Sequence, residues 1–395
     1  MTLIHTPRDD ADLAELIAAS AASGTGLSIA GGATKAAAGR PSEAAAAVST
    51  ARLSGISLYE PAELVLSAKA GTPLAQVEAA LAAKGQMLPF EPADHRALFG
   101  TSGAPTVGAM AAANISGPRR ISAGACRDAL IGVRFVNGRG QSVKSGGRVT
   151  KNVTGLDLVK LTCGAWGTLG VFTDVTFKLL PRPESAASVI VHGLADARAI
   201  DALSAALGSP FEISGAAHLP AEGAQGARTI VRIEGFEPSV KYRLGEIAGL
   251  WRPFGEAEII EGALSENLWR AVRDCAPLCE PREAAVWRIS VAPSQAAALV
   301  ARIGRALPER HFYDWGGGLI WLSADAAGDA GAALIRGAMQ GLGGHATLLR
   351  APAQVRAAID VFEPLSPAVF KLTAGLKKSF DPAGILNHGR MYAGI

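Results

Sequence analysis

Residues 89 to 120 read PFEPADHRALFGTSGAPTVGAMAAANISGPRR. Proline, glycine and alanine dominate, and no long hydrophobic period runs through the stretch. A surface loop is the plain reading. Loops of that length are uncommon in compact domains unless they bind something. Small residues also let a backbone approach a flat ligand closely. A fold for this chain must therefore hold a long, small-residue segment against a partner surface.

The flanking segments are regular. Residues 9 to 23 predict a helix, with Leu13, Leu16 and Ile17 at helical spacing and Asp9, Asp10 and Asp12 at its start. LSIA, 27 to 30, reads as a strand, and LVLSAKAG, 64 to 71, alternates like one and stops at Gly71. Residues 72 to 86 predict a helix with Thr72 as N-cap, Pro73 in the first turn and Gly85 past the end. Residues 130 to 146 read as a hairpin around Asn137-Gly138 and Gly140, and 167 to 184 as a long strand that stops at two prolines. From about 190 to 350, strand-like runs such as ASVIVHGL, RTIVRIEGF, AVWRISVAP and LIWLSADA alternate with helical ones, as in a second sheet with helices on it. The tail predicts a helix and then a Pro- and Gly-punctuated loop. No fixed-period repeat is visible.

Length and composition narrow the function. With 395 residues, 49% hydrophobic and 18% charged, the chain is long enough for two well-buried domains. A net charge of +3 gives no reason to propose nucleic acid or an anionic membrane as partner. Cys126, Cys163, Cys275 and Cys279 form no CxxC pair, so neither an iron–sulfur cluster nor a zinc site, nor any other metal, is expected. Scattered thiols, an acidic N-terminus without a signal-type apolar core and the absence of a spanning run predict a cytoplasmic chain; any association with the inner face of the membrane would come through a partner.

The stretch LSIAGGATKAAAGR, 27 to 40, invites an anion. It lacks the GxxxxGK[ST] spacing of a P-loop and the GxGxxG of a dinucleotide fold. Successive small residues in a turn form a nest of N–H groups, with Thr34 and Lys35 available to add a hydroxyl and a charge. An ordinary strand-ending turn fits the same residues.

Four motifs in order are more specific: GGATK, then AGTPLAQVEAALAAKGQMLPFEP, then APTVGAMAAANISGPRR, then VTGLDLVKLTCGAWGTLGVFTDVTFKL. This series resembles the FAD-binding domain of the vanillyl-alcohol-oxidase flavoprotein superfamily. VRIEGFEPSVKYRL, VWRISVAPS, YDWGGGLIWL, GGHATLLRAP and the terminal FDPAGILNHGRMY extend the likeness, over nearly the whole chain, to the smaller FAD-binding (E) subunits of bacterial glycolate oxidase. The resemblance implies an α+β architecture. A two-part PCMH-type FAD domain would span 1–184, an α+β cap with an antiparallel sheet 185–350, and a segment returning to the FAD domain 351–395.

By the same resemblance, Ala30, Gly31, Gly32, Ala33, Thr34 and Lys35 would cradle the FAD pyrophosphate. The family more often has glycine where Ala33 stands and serine where Thr34 stands. Pro89, Thr106, Val107 and Gly108, and then Ala112, Asn114, Ser116 and Gly117, would pass along the flavin. Gly167, Gly170 and Val171 would lie near the adenine or ribitol side, and Asn387 would return to the flavin; His388 stands where relatives often carry proline. Many relatives attach FAD through a histidine in the first glycine loop. Residues 29 to 35 contain neither histidine nor cysteine, so FAD is expected to be non-covalent, with His95 as a remote alternative for attachment.

Oxidising a 2-hydroxy acid needs a hydride acceptor, a base for the hydroxyl proton and a cation for the carboxylate. His345, near where catalytic relatives carry a histidine-rich segment, and Arg288, alternating on a strand, are the weak candidates; a polar loop histidine and a locally paired arginine fit them as well. Trp315 and Trp321 read as core packing. The chain is thus expected to be the FAD-bearing subunit of a glycolate dehydrogenase complex that makes glyoxylate, acting as flavin-bearing partner or electron relay. A larger homologous FAD subunit and an iron–sulfur subunit would be its partners. A stand-alone FAD-dependent oxidase of a 2-hydroxy acid or alcohol, and a non-catalytic scaffold, are the alternatives.

Overall fold

A computed structural model describes residues 3–42, 44–147 and 156–395; residues 153–155 of the fourth motif lie outside them. The first part of the chain builds two sheets. Leu3–His5, Ala46–Ser49 and Leu27–Ala30 pair in that order, all parallel. A second, five-stranded antiparallel sheet runs in the order Ile56–Glu60, Val65–Lys69, Val171–Lys178, Leu130–Val136, Ser142–Gly146. The later part folds into an eight-stranded antiparallel sheet. The α+β expectation, with an antiparallel sheet in the cap, is met.

Helix Asp10–Ser23 follows its sequence signals: Asp9 Oδ1 accepts from the N–H groups of Ala11 and Asp12 at 2.9 Å each, Gly24 ends it at φ 70°, and Leu13 and Ile17 are fully buried. The next helix corrects its expectation. It spans Leu74–Ala82 with Pro73 at the cap, because the Thr72 hydroxyl is drawn away to Lys69 O (2.7 Å) and to the N–H of Gly55 (2.9 Å).

The aperiodic stretch is also not a loop throughout. Val107–Ala113 is a helix. Val107, Gly108, Met110 and Ala111 are buried, while Ala109, Ala112 and Ala113 line a cleft. Both faces are apolar or small, so no amphipathic period marks the helix in the sequence.

Helices Asp196–Leu207, Glu237–Trp251, Pro293–Gly304 and Ala332–Met339 supply residues to the core on one face of the large sheet. The other face, with Trp321, Phe312 and Ile230, packs with Leu98 and Phe99 of the first part. A buried ion network joins the two parts. Arg232 on strand Arg228–Gly235 holds Glu91 with two bonds of 2.8 and 2.9 Å, and Arg119 holds Glu234 with 2.8 and 3.0 Å. Burial works against the Glu91 charge, but Arg232 and Arg119 together pull its pKa down to about 2.

Candidate functional site

A cleft opens where strand Leu27–Ala30 ends. Its walls come from the first glycine loop, helix Val107–Ala113, residues 166–172 and the tail through Asn387 and Arg390, with Thr50 and Ala70 adding single contacts. Of the expected cofactor residues, Ala30, Gly31, Ala33, Thr34, Lys35, Gly108, Ala112, Gly167, Gly170, Val171 and Asn387 line it. The walls are mostly backbone and methyl groups, which suits a large planar ligand.

The other expected residues stand behind these walls. Gly32 packs so tightly on the second loop that an added Cβ would lie 1.8 Å from Ala104 O. Thr106 stands behind Gly31, whose Cβ would lie 2.2 Å from its hydroxyl oxygen; that oxygen is buried without a hydrogen bond among the described residues. Val107 points into the core. Asn114 caps its helix at φ 49° and accepts the N–H of Arg127, while Ser116 accepts that of Cys126. Gly117 packs against Glu91 O, and Pro89 lines a separate crevice beside Arg119 and Phe236.

The glycine loop presents free donors. The backbone N–H groups of Gly32, Ala33, Thr34 and Lys35 reach no acceptor among the described residues. Ala33 sits at φ 56°, a left-handed conformation that disfavours a side chain and explains why glycine suits the position better. Lys35 sends its ammonium inward, 3.8 Å from Met110 Sδ, and burial pulls its pKa down to about 8.

The cation beside the nest is one that sequence reasoning missed. Arg390 lines the cleft and donates to Lys35 O at 3.1 Å and Ala36 O at 3.3 Å. Burial, then the neighbouring Arg356, lowers its pKa to about 10. Its only signal was its place in the terminal HGRMY. A guanidinium beside unsatisfied amides is a good phosphate site. Arg390→Met is expected to raise the FAD dissociation constant by roughly tenfold to a hundredfold, read by equilibrium dialysis.

Asn387 works differently from the expectation. Its Oδ1 accepts from Ile29 N at 2.8 Å and its Nδ2 donates to Trp166 O at 2.7 Å. Both ends of the carboxamide are used to brace the cleft, so it positions the walls.

The weak catalytic candidates lie elsewhere, on the large sheet. Arg288 and His345 belong to adjacent strands, with Arg288 opposite Thr347 and Ser290 opposite His345, so the two share a face. Trp321 stands opposite Arg288 and packs edge-on against His95 at 5.8 Å, as core packing predicts. Trp315 packs against the same core cluster while only half-buried, with Arg120 and Arg288 over its ring. His95 is buried with neither ring nitrogen bonded, and burial followed by the charges of Lys35 and Arg288 pulls its pKa down to about 3. It is not among the cleft-lining residues. Among the described residues no group of three or more His, Cys, Asp or Glu is placed to hold a metal, and no helix is long and apolar enough to cross a membrane.

Comparison with known proteins places an FAD-binding domain in the first part of the chain. A family profile described as an FAD binding domain matches residues 1–146. Glycolate oxidase subunit GlcE of Escherichia coli (strain K12) is 35% identical over 339 residues, which covers 86% of this chain and 85% of the relative. Glycolate oxidase subunit GlcD of Bacillus subtilis (strain 168) is 39% identical over 80 residues, 20% of this chain and 17% of the relative. Among solved structures, 4-ethylphenol oxidase from Gulosibacter chungangensis superposes with a TM-score of 0.71 at 13% identity, over 98% of this chain and 88% of that one.

Proposed function

Because the chain belongs to the family of glycolate oxidase subunit GlcE, FAD-binding flavoproteins of the vanillyl-alcohol-oxidase type, we propose that it is the flavin-bearing subunit of an oxidoreductase that converts glycolate to glyoxylate. The observation that carries the reading is the row of unpaired N–H groups at Ala33, Thr34 and Lys35, residues that line the cleft together with Arg390. Those donors would hold the FAD pyrophosphate. Helix Val107–Ala113 would give the cofactor a flat, methyl-lined wall, and Asn387 would keep the opposite wall in register. When bound, the flavin supplies a two-electron acceptor for the Cα–H of the substrate.

No histidine or cysteine lines the cleft among the described residues, so the FAD would be held non-covalently. Electrons would pass to partner subunits, a larger homologous flavoprotein and an iron–sulfur protein, because no set of cluster ligands gathers among the described residues. The complex would work in the cytoplasm, at the membrane only through such partners.

The test is spectroscopic. The purified chain is expected to be yellow, to release its flavin into the filtrate on denaturation, and to bleach on anaerobic addition of glycolate. A chain that takes up no added FAD would sink the assignment. Bleaching only with the partner subunits present would move the chemistry to them and leave this chain as relay or scaffold.

A further inference from the structure

We propose that Arg120 and Arg288, gathered on the indole of Trp315 where the two parts of the chain meet, form a binding site for a small carboxylate anion. The proposal rests on the flavin reading for its role, though not for its existence: it makes this chain the one that holds the acid to be oxidised.

Three elements build the site. Arg120 opens helix Arg120–Ala123, Arg288 lies on strand Ala285–Ser290, and Trp315 begins the tight turn Trp315–Gly317. The guanidinium carbons lie 4.6 and 5.1 Å from the Trp315 ring centroid. The ring itself is held. Trp315 is at φ 53° and Gly316 at φ 65°, and the indole N–H donates to Gly117 O at 3.1 Å. That last bond ties the ring to the segment that leads into Arg120. A left-handed tryptophan is an uncommon conformation that surrounding contacts must maintain, and it occurs here under two cations.

Neither guanidinium has an ion pair or a hydrogen bond among the described residues. This sets them apart from Arg119 and Arg232, a short distance along the chain or sheet, which grip Glu91 and Glu234. The nearby acids are engaged. Asp314 accepts the N–H of Trp315 at 2.7 Å, and burial pushes its pKa up to about 7, so it only partly offsets the two positive charges. Asp128 accepts the N–H of Ala125 at 2.8 Å. Burial, and then Arg120, lower the Arg288 pKa to about 10. Both arginines are half-buried, so solvent still reaches them.

Two unpaired, mutually repelling guanidiniums on one ring lack the anion that would satisfy them. The aromatic face stabilises each cation without neutralising it. A carboxylate offers two parallel acceptors to a guanidinium fork and can bridge two forks. His345 and Ser290 share the sheet face of Arg288, with the Ser290 hydroxyl donating to Gly318 O at 3.2 Å. The flavin reading favours a small carboxylate over phosphate here, because the acid to be oxidised carries that group.

Isothermal titration of the FAD-loaded chain with oxalate, glycolate, inorganic phosphate and neutral ethylene glycol tests the site. Oxalate and glycolate are expected to bind and ethylene glycol not to. Arg120→Met and Arg288→Met should each weaken oxalate at least about tenfold, and the pair should abolish binding, with flavin content unchanged. If either methionine variant fails to fold, Arg120→Lys and Arg288→Lys keep the charge and lose the fork, and a several-fold loss is still expected. Wild-type affinity in folded single variants, no oxalate binding to the FAD-loaded chain, or tighter binding of phosphate than oxalate would each overturn the proposal. A chain that binds no FAD contradicts the flavin reading alone, and oxalate titration of that flavin-free chain still decides for or against the arginine site.

Discussion

Glu91→Ala is expected to cost about 3 kcal/mol of folding stability, because it strips the buried Arg232 of its two short charged bonds and leaves it only the longer pair with Glu234 at 3.5 Å. The side chain of Arg232 is only 5% exposed and that of Glu91 12%. The guanidinium would keep Ser214, the face of Trp269 at 4.9 Å and Glu234 at 3.5 Å as neighbours, and Glu234 is already gripped by Arg119. Arg119 would lose an acceptor as well, since its N–H is held by Glu91 at 2.9 Å. Replacing both partners, Glu91→Leu with Arg232→Met, should recover most of the loss, since two apolar side chains remove the buried charges together. Urea melts of the two single variants and the double variant give the coupling directly. The pH dependence has a definite sign. Glu91 has a folded pKa near 2, below the ordinary carboxylate value. Its contribution is therefore complete above the unfolded pKa and is lost as pH falls through that window toward 2.

Gly32→Ala is expected to raise the FAD dissociation constant at least about a hundredfold, or to leave the chain without flavin. The alanine methyl would sit 1.8 Å from Ala104 O and 2.8 Å from Ala104 C, both backbone atoms that cannot swing aside. Gly103 mirrors the contact, with its own Cβ position 1.9 Å from Gly32 O. The two loops thus press backbone to backbone, and a methyl must push them apart and spread the nest. Sequence logic would have chosen Gly32→Asp, to set a carboxylate against the pyrophosphate. The packing makes the charge secondary: alanine and aspartate should be nearly equally damaging. Flavin content after gel filtration measures it; an alanine variant with full flavin would show that the loops part without loss of the site.

The glycine loop, the strand before it and the residues 167–171 were legible because their chemistry is local. A ligand that needs backbone donors demands small residues in a row, and that demand is written in the sequence. What escaped was set by tertiary contact. Helix Val107–Ala113 has no polar face, so it carried no period. The Thr72 hydroxyl was claimed by Gly55 and Lys69, whose approach the sequence does not announce. Arg390 looked like any arginine in a loop until the tail folded back and set it beside Lys35 O. Arg120 followed another arginine, yet one of the two found acids and the other found only an indole. Neighbours in sequence diverged because they point to different elements.

The tail has a consequence for the order of events in the cell. Leu27 donates to Ile385 O at 2.7 Å, Asn387 donates to Leu27 O at 2.9 Å, and Lys377, pinned to Asp381 at 2.7 Å, also ties down Thr168 O and Leu386 O. A strand made early in synthesis is thus finished by residues made hundreds of codons later. Until residue 390 has cleared the ribosome the cleft lacks one wall and its guanidinium. A flavin held in this cleft would therefore have to be captured after residue 390 has been made.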